Sequence, residues 1–362
     1  MKRITFLLSF VLLGSLLFPV KLGTLAELTN PDNITLYNDE LYVVEGPTIF
    51  VYSLKDMQFI RKFGKKGQGP GELMAIPGTP NRISVQKDYI LAETYVKLIW
   101  FTKEGKLIKE RKKPSFTLFG FIPIEGKEEK EKFVARRVLL HGKNTSYDTI
   151  CIFNGELKVI KELYKQKWIQ QGLQPPHMKL EMVPDFITYK VYNGKIFIDG
   201  SDKGFIIEIL DTEGNKLQQI KKDDRKIKFT AADKDRIINR FKEDKYIKAQ
   251  SNMVGGWDQL KNMFTMNFPN TYPPIRDIEV SDDKIFIRTY KRVKDKGQAK
   301  EEYVVMDFKG NILRRVMAPE LLTSAQQQQW GAKMNTIHNG KLYYLLENVD
   351  EETWELHVHE MK

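Results

Sequence analysis

The sequence predicts an all-β protein, a six-bladed β-propeller of four-stranded antiparallel blades with a helical insertion between blades four and five. Two observations carry that prediction. A strand–turn–strand module with a Gly or Asp turn recurs along the chain, as in "IFVYSLKDMQFIRKF" (49–63), "LIWFTKEGKLIKERK" (98–112), "TICIFNGELKVIKEL" (149–163), "IIEILDTEGNKLQQI" (206–220) and "YVVMDFKGNILRRV" (303–316). A second hairpin module precedes most of these, as in "ITLYNDELYVVE" (34–45), "ISVQKDYILAE" (83–93), "ITYKVYNGKIFID" (187–199), "IEVSDDKIFIR" (278–288) and "NTIHNGKLYYLLE" (335–347). Alternating apolar residues around Asn-Gly or Asp-type turns are the hairpin signal. Joined, head and tail make a four-stranded meander. The tail turns at Asp56, Gly105 and Gly155 stand about fifty residues apart, the period of propeller blades.

Taken in order, clear units cover 33–63, 81–112, 185–220 and 275–316. A third unit, 117–163, has a weaker head in "FTLFGFIPI" and "KFVARRVLL" around the charged turn "EGKEEKEK". The sixth starts near Asn335 and has three strands, ending in "WELHVHEM". Its missing outer strand is expected from residues near 20–30. The segment 228–265 breaks the strand pattern. Thr230 can cap a helix with Asp233 three residues later, and Ile237, Ile238 and Phe241 recur at helical spacing.

Lys2 and Arg3 precede an apolar run from Ile4 to Val20, with Gly23, Thr24 and Ala26 following. This is the pattern of a secretory signal, expected over 1–26 with cleavage after Ala26; the alternative is an uncleaved membrane anchor, since the apolar run nearly reaches spanning length. The propeller then occupies 27–362 and is exported, periplasmic or extracellular. Cleavage nearer Phe18 would leave more chain for a closing strand. The single cysteine, Cys151, excludes an intrachain disulfide and a cysteine zinc site; it sits in the apolar strand "DTICIF" as a small core residue. It also lies far from the signal, so it cannot serve a lipoprotein anchor.

The chain carries 58 Lys and Arg against 47 Asp and Glu, a net charge of +11. The basic residues are scattered among acidic neighbours, which reads as a solvated surface, and no basic helix with interleaved aromatics suggests a nucleic-acid partner. A monomer without stable membrane insertion is expected once the signal is removed.

"KFGKKGQGPGEL" (62–73) holds four glycines and a proline. A phosphate loop must lead into a helix, and Pro77 and Pro80 forbid one here. The stretch reads instead as the crossing from blade one to blade two, with Glu72 placed to accept hydrogen bonds from the loop's own amides. "GKKGQGPGEL" followed by Pro and a strand resembles the blade-crossing signature of the NHL-like six-bladed β-propeller proteins of bacteria. "FTMNFPNTYPPIRDIEVSDDKIFIRTY" (264–290) is similar to the segment entering a late blade of those exported proteins. The resemblance implies a fold and export more than an activity.

Related propellers include calcium-dependent lactonases and metal-dependent lyases, whose axial cation is held by Asn, Asp, Glu or His of the innermost strands. Asn33, Asn81, Asp185, Asp277 and Asn335 all stand near the start of an expected innermost strand, and calcium would suit such oxygen ligands. The bland alternative is that they satisfy local loop amides. His357 and His359 alternate in the last strand and read as surface residues. Trp257 and Tyr272 could form a partner surface on the insertion or pin it to the propeller. The function expected is a scaffold binding a protein or carbohydrate ligand. The alternative is a divalent-metal-dependent hydrolase or lyase working at the channel mouth.

Overall fold

The computed structural model describes residues 19–76, 79–125, 131–141, 145–168, 178–223, 226–295, 297–321 and 333–361. Most of the expected signal, Pro77 and most of the charged turn "EGKEEKEK" lie outside these residues.

Six four-stranded antiparallel sheets form the propeller. The chain enters through β1 (Val20–Leu25). Blade one is β2 (Asn33–Tyr37), β3 (Glu40–Glu45), β4 (Thr48–Ser53) and β5 (Phe59–Phe63). Blade two is β6 (Arg82–Val85), β7 (Ile90–Glu93), β8 (Lys97–Phe101) and β9 (Leu107–Lys112). Blade three is β10 (Leu118–Glu125), β11 (Lys132–His141), β12 (Thr145–Asn154) and β13 (Val159–Trp168). After β14 (Met178–Glu181), blade four is β15 (Tyr189–Tyr192), β16 (Lys195–Asp199), β17 (Ile206–Leu210) and β18 (Lys216–Lys221). After β19 (Phe264–Asn267), blade five is β20 (Asp277–Ser281), β21 (Lys284–Asp295), β22 (Gln298–Asp307) and β23 (Ile312–Pro319). Blade six is β24 (Asn335–His338), β25 (Lys341–Asn348) and β26 (Thr353–Glu360), with β1 antiparallel on β26 as its outer strand.

The burial pattern follows from stacking sheets face to face. The middle strands are apolar on both faces, so β4 is buried from Ile49 to Tyr52, while the outer β5 is mostly exposed. One apolar cluster fills each of the six blade interfaces, and the ring is closed. Tyr42, Val44 and Ile49 meet Val85, Ile90 and Ile99 between blades one and two. Trp100 meets Phe133 and Cys151 between two and three. Val134 and Ile150 meet Ile196 and Ile198 between three and four, and Phe197 and Ile207 meet Ile285 and Val304 between four and five. Phe286 meets Tyr344 between five and six. Leu345 and Leu356 meet Leu41 and Phe50 at the closing interface, where β1 adds Leu25. Each large side chain buried this way contributes roughly 1.5–3 kcal/mol against exposure.

The glycine-rich stretch crosses from β5 towards β6 and is tied to blade two. Gly69 N–H donates to Glu72 Oε2 at 3.0 Å, and Gly71 N–H to Glu110 Oε2 at 2.9 Å. Lys97 Nζ donates to Gly69 O at 2.6 Å and pairs with Glu110 at 2.7 Å.

Three helices lie in the chain between β18 and β20: α1 (Ala231–Glu243), α2 (Lys245–Met253) and α3 (Trp257–Lys261). Thr230 caps α1 and Asp233 returns the bond, a capping box that satisfies two amides of the first turn. β19 then pairs in parallel with β14, which ties this segment to the chain between blades three and four. No helix among the described residues is long and apolar enough to cross a membrane.

Candidate functional site at the channel mouth

The innermost strands β2, β6, β10, β15, β20 and β24 stand around the axis and enclose a cavity of about 800 Å³. Residues just before or at the start of each strand sit where the chain enters from the crossing loops, so charges placed there face the cavity together.

Of the five Asn and Asp residues singled out by sequence, three line this cavity: Asn33, Asp277 and Asn335, the first residues of β2, β20 and β24. Asn81 is buried beside it, and its Nδ2 donates to Gly46 O at 2.7 Å, a local backbone role. Asp185 lies before β15 against a smaller side cavity of about 230 Å³. Asp277 forms an ion pair with Lys333, so a cation held by Asp277 would have to compete with an ammonium group. Among the described residues, no three of His, Cys, Asp and Glu come together in a way that could hold a metal ion.

The cavity lining carries six cations, Arg82, Arg136, Lys190, Arg276, Arg288 and Lys333, against two carboxylates, Asp277 and Glu279. This corrects the reading of the basic residues as a solvated surface: Arg136 and Arg288 are buried, as is Lys113 behind them. Glu279 of β20 accepts from Lys190 Nζ of β15 and from Lys333 Nζ before β24, each at 2.8 Å. One carboxylate therefore joins three blades. Burial opposes its ionisation, but the two ammonium groups win and hold the carboxyl down to about 2. For Lys333 burial likewise opposes the charge, and Asp277 and Glu279 raise its pKa above the usual lysine value. For Lys190 burial prevails and pushes it down.

A second knot lies on blade five. Glu301 is fully buried and receives Arg276 at 2.7 Å and Arg288 at 2.5 Å, while Arg288 also donates to Leu321 O at 2.7 Å. A third joins blades two and three: Glu93 pairs with Lys113 at 3.1 Å and accepts the Gly120 and Phe121 amides at 2.9 Å each. These charges are held in place by buried partners, so the rim is pre-organised.

Helix α1 flanks the same rim. Arg236 pairs with Asp233 at 3.0 Å and donates to the Tyr272 hydroxyl at 3.1 Å. The Tyr272 ring stacks on Tyr290 at 4.5 Å, and the Arg276 guanidinium lies over Tyr290 at 5.5 Å. Tyr272 is thus buried and internal, while Trp257 is half-buried, edge-on to Phe241. Of the two histidines read as surface residues, His359 is in fact buried, and burial lowers its pKa. His357 pairs with Glu355 at 2.8 Å.

Sequence reasoning missed the cations, although a local signal was present. Each Asn or Asp chosen on blades two, five and six has a cation beside it: Arg82 after Asn81, Arg276 before Asp277, and Lys333 two residues before Asn335.

A family model and one solved structure agree with this architecture. Residues 24–197 match the family model DUF5128, described as a 6-bladed beta-propeller. A solved member of the duf4221 family from Bacteroides vulgatus is similar in fold, with a TM-score of 0.51 at 11% identity, over 94% of this chain and 95% of that one. The Neurospora crassa Pan2 WD40 domain aligns over 94% of this chain and 95% of its own, with a TM-score of 0.43 and 9% identity. No curated protein matches.

Proposed function

We propose that this chain is an exported, NHL-like β-propeller that works as a binding scaffold, holding a ligand at the mouth of its axial cavity without bond chemistry of its own. The observation that carries the reading is the cavity of about 800 Å³, whose charged lining is fixed by ion pairs, buried at Glu301 and Glu93 and half-buried at Glu279. Ligand pockets commonly fall at about 300–1,000 Å³ and place a few oriented polar groups in a concave site. A rigid ring supplies such groups at little entropic cost on binding. A carbohydrate or a protruding peptide segment would suit a cavity of this size and polar lining.

The test has two arms. Cell fractionation with N-terminal sequencing reads export directly; an intact N-terminus in the cytoplasmic fraction would sink that part. For the site, a thermal-shift screen of oligosaccharides and peptides is run on the mature protein and on Thr35→Trp, which fills the cavity from β2. Ligands of the channel should stabilise the first and not the second. Equal stabilisation of both would place binding elsewhere.

A further inference from the structure

Arg276 and Arg288 share the single carboxylate of Glu301, and Lys333 pairs with Asp277 and shares Glu279 with Lys190. Adding Lys113 and the four buried carboxylates behind the lining, Glu93, Asp148, Asp199 and Glu301, still leaves an excess of one positive charge around the cavity. Arg288 is more than nine-tenths buried, and its Nε has no hydrogen-bond partner among the described residues. A buried guanidinium N–H left in that state is costly until an acceptor reaches it. Asp277 stands opposite Arg288 in the β20–β21 register and directly follows Arg276, so Lys333, paired with Asp277, belongs to the same rim. Crowding is felt further out as well: burial and the neighbouring Arg276, Arg288 and Arg292 push the Arg240 guanidinium down to about 10.

We propose that this rim, formed by Arg276 and Arg288 of blade five and Lys333 at the entry to blade six, binds an oxyanion: a carboxylate, sulfate or phosphate group carried by the ligand that occupies the cavity. The proposal rests on the binding-scaffold reading and deepens it by naming the ligand's chemistry. A planar guanidinium fork suits such groups, because charge-assisted N–H···O bonds to an oxyanion are short and strong. An incoming oxyanion would offset the excess charge and give the Arg288 Nε the acceptor that it lacks among the described residues. The site is also deep enough for the attraction to survive physiological salt better than surface pairs do.

The test uses the full mature protein. Crystals are soaked in selenate, whose anomalous signal locates a sulfate-like anion. In parallel, inorganic phosphate, selenate, glucuronate and neutral glucose are titrated calorimetrically at low salt. We expect selenate within hydrogen-bond reach of Arg276, Arg288 and Lys333, saturable binding of at least one anion, and about tenfold weaker binding in Arg276→Gln. Glucuronate binding without phosphate or selenate binding would assign a carboxylate ligand, and the reverse a tetrahedral one. Should Arg276→Gln fail to fold, the selenate position in the unaltered protein decides. Selenate confined to lysines outside the channel, with no anion binding saturably, overturns the proposal. If glucose binds in the channel and no anion does, the oxyanion assignment falls and the scaffold reading stands; if nothing enters the channel, both fall.

Discussion

Gly105, in the turn joining β8 to β9, rests directly against Phe63 at the outer edge of blade one: a Cβ there would stand 2.8 Å from the ring's Cδ1 and nearer still to Cγ. Its φ of +85° is also one that side chains rarely adopt. The crowding recurs around the ring: a Cβ on Gly310 of blade five would stand 2.8 Å from Ile220 of blade four, and one on Gly214 of blade four would clash with Leu163 of blade three. The glycine turn of each of these blades is thus a socket for the outer strand of the blade before it. Gly105→Ala should therefore lower stability by about 2–4 kcal/mol, combining backbone strain with a clash. Gly194→Ala, at φ +68° with open space around it, should lose only about 1 kcal/mol. Urea denaturation of both variants checks the difference, and equal losses would mean that strain alone matters.

The N-terminal strand is the second lock. β1 pairs with β26 from Val20↔Val358 to Leu25↔Trp354, places Leu25 in the closing interface and sets Lys21 on Glu355 at 2.7 Å. A chain beginning at Glu27 would lose this strand and leave β26 as an open edge, which invites pairing between molecules. A chain beginning at Pro19 would keep it. We expect the shorter chain to melt at least several degrees lower and to self-associate by light scattering. The same physics predicts that a processed N-terminus lies before Val20. Equal melting temperatures for the two chains would show that β1 contributes nothing to closure.

What the sequence made legible was local. Asn193–Gly194 and Asn339–Gly340 both adopt positive φ at consecutive residues, as tight hairpin turns require, and these dipeptides can be read without any knowledge of the fold. Thr230 and Asp233 are likewise near in sequence and form the capping box expected of them. The channel charges were not legible for the converse reason. Lys190, Glu279 and Lys333 come from three different blades and meet only when the ring closes. Nothing in the spacing of Arg276, Arg288 and Glu301 announces that one buried carboxylate will hold two guanidiniums, because Arg276 before β20 and Arg288 of β21 reach Glu301 of β22 across the sheet and not along a strand. Asn33, Asp277 and Asn335 were placed on the cavity by strand position alone, but the cations beside them set its electrostatic character.

Glu279 gives a pH signature. Its carboxyl titrates at about 2 in the folded protein against an ordinary value of 4.5, so its ion pairs stabilise the fold above about pH 4.5. That contribution is lost as pH falls from about 4.5 through about 2, since protonation is easier in the unfolded chain. Glu279→Gln removes that contribution and leaves Asp277 as the remaining carboxylate on the cavity lining beside Lys190 and Lys333. At neutral pH the variant should lose about 1–3 kcal/mol, less than a fully buried pair would, because these side chains keep 15–25% exposure. Its stability should also fall less steeply than that of the unaltered protein between pH 4.5 and 2. Parallel acid-denaturation curves would exclude the Glu279 network as the source of the slope.

Tyr272 fastens helix α1 to the rim. Its ring lies on Tyr290 at 4.5 Å and is 5% exposed, and its hydroxyl accepts from Arg236 of α1 at 3.1 Å. Helix α1 buries none of its own side chains fully, so it depends on such tethers more than on an apolar face. Tyr272→Ala removes both the stack and the hydroxyl, and should cost about 2–4 kcal/mol while raising amide exchange across Ala231–Glu243 by about tenfold or more. Tyr272→Phe keeps the stack and loses only the hydroxyl, about 1 kcal/mol. Exchange mass spectrometry separates the two roles: if Phe loosens α1 as much as Ala does, the Arg236 bond is the tether; if only Ala does, the ring is. Because Arg276 lies over the same Tyr290 ring, loosening α1 by the ring route should also blunt the oxyanion site, whereas loss of the hydroxyl alone should leave it intact.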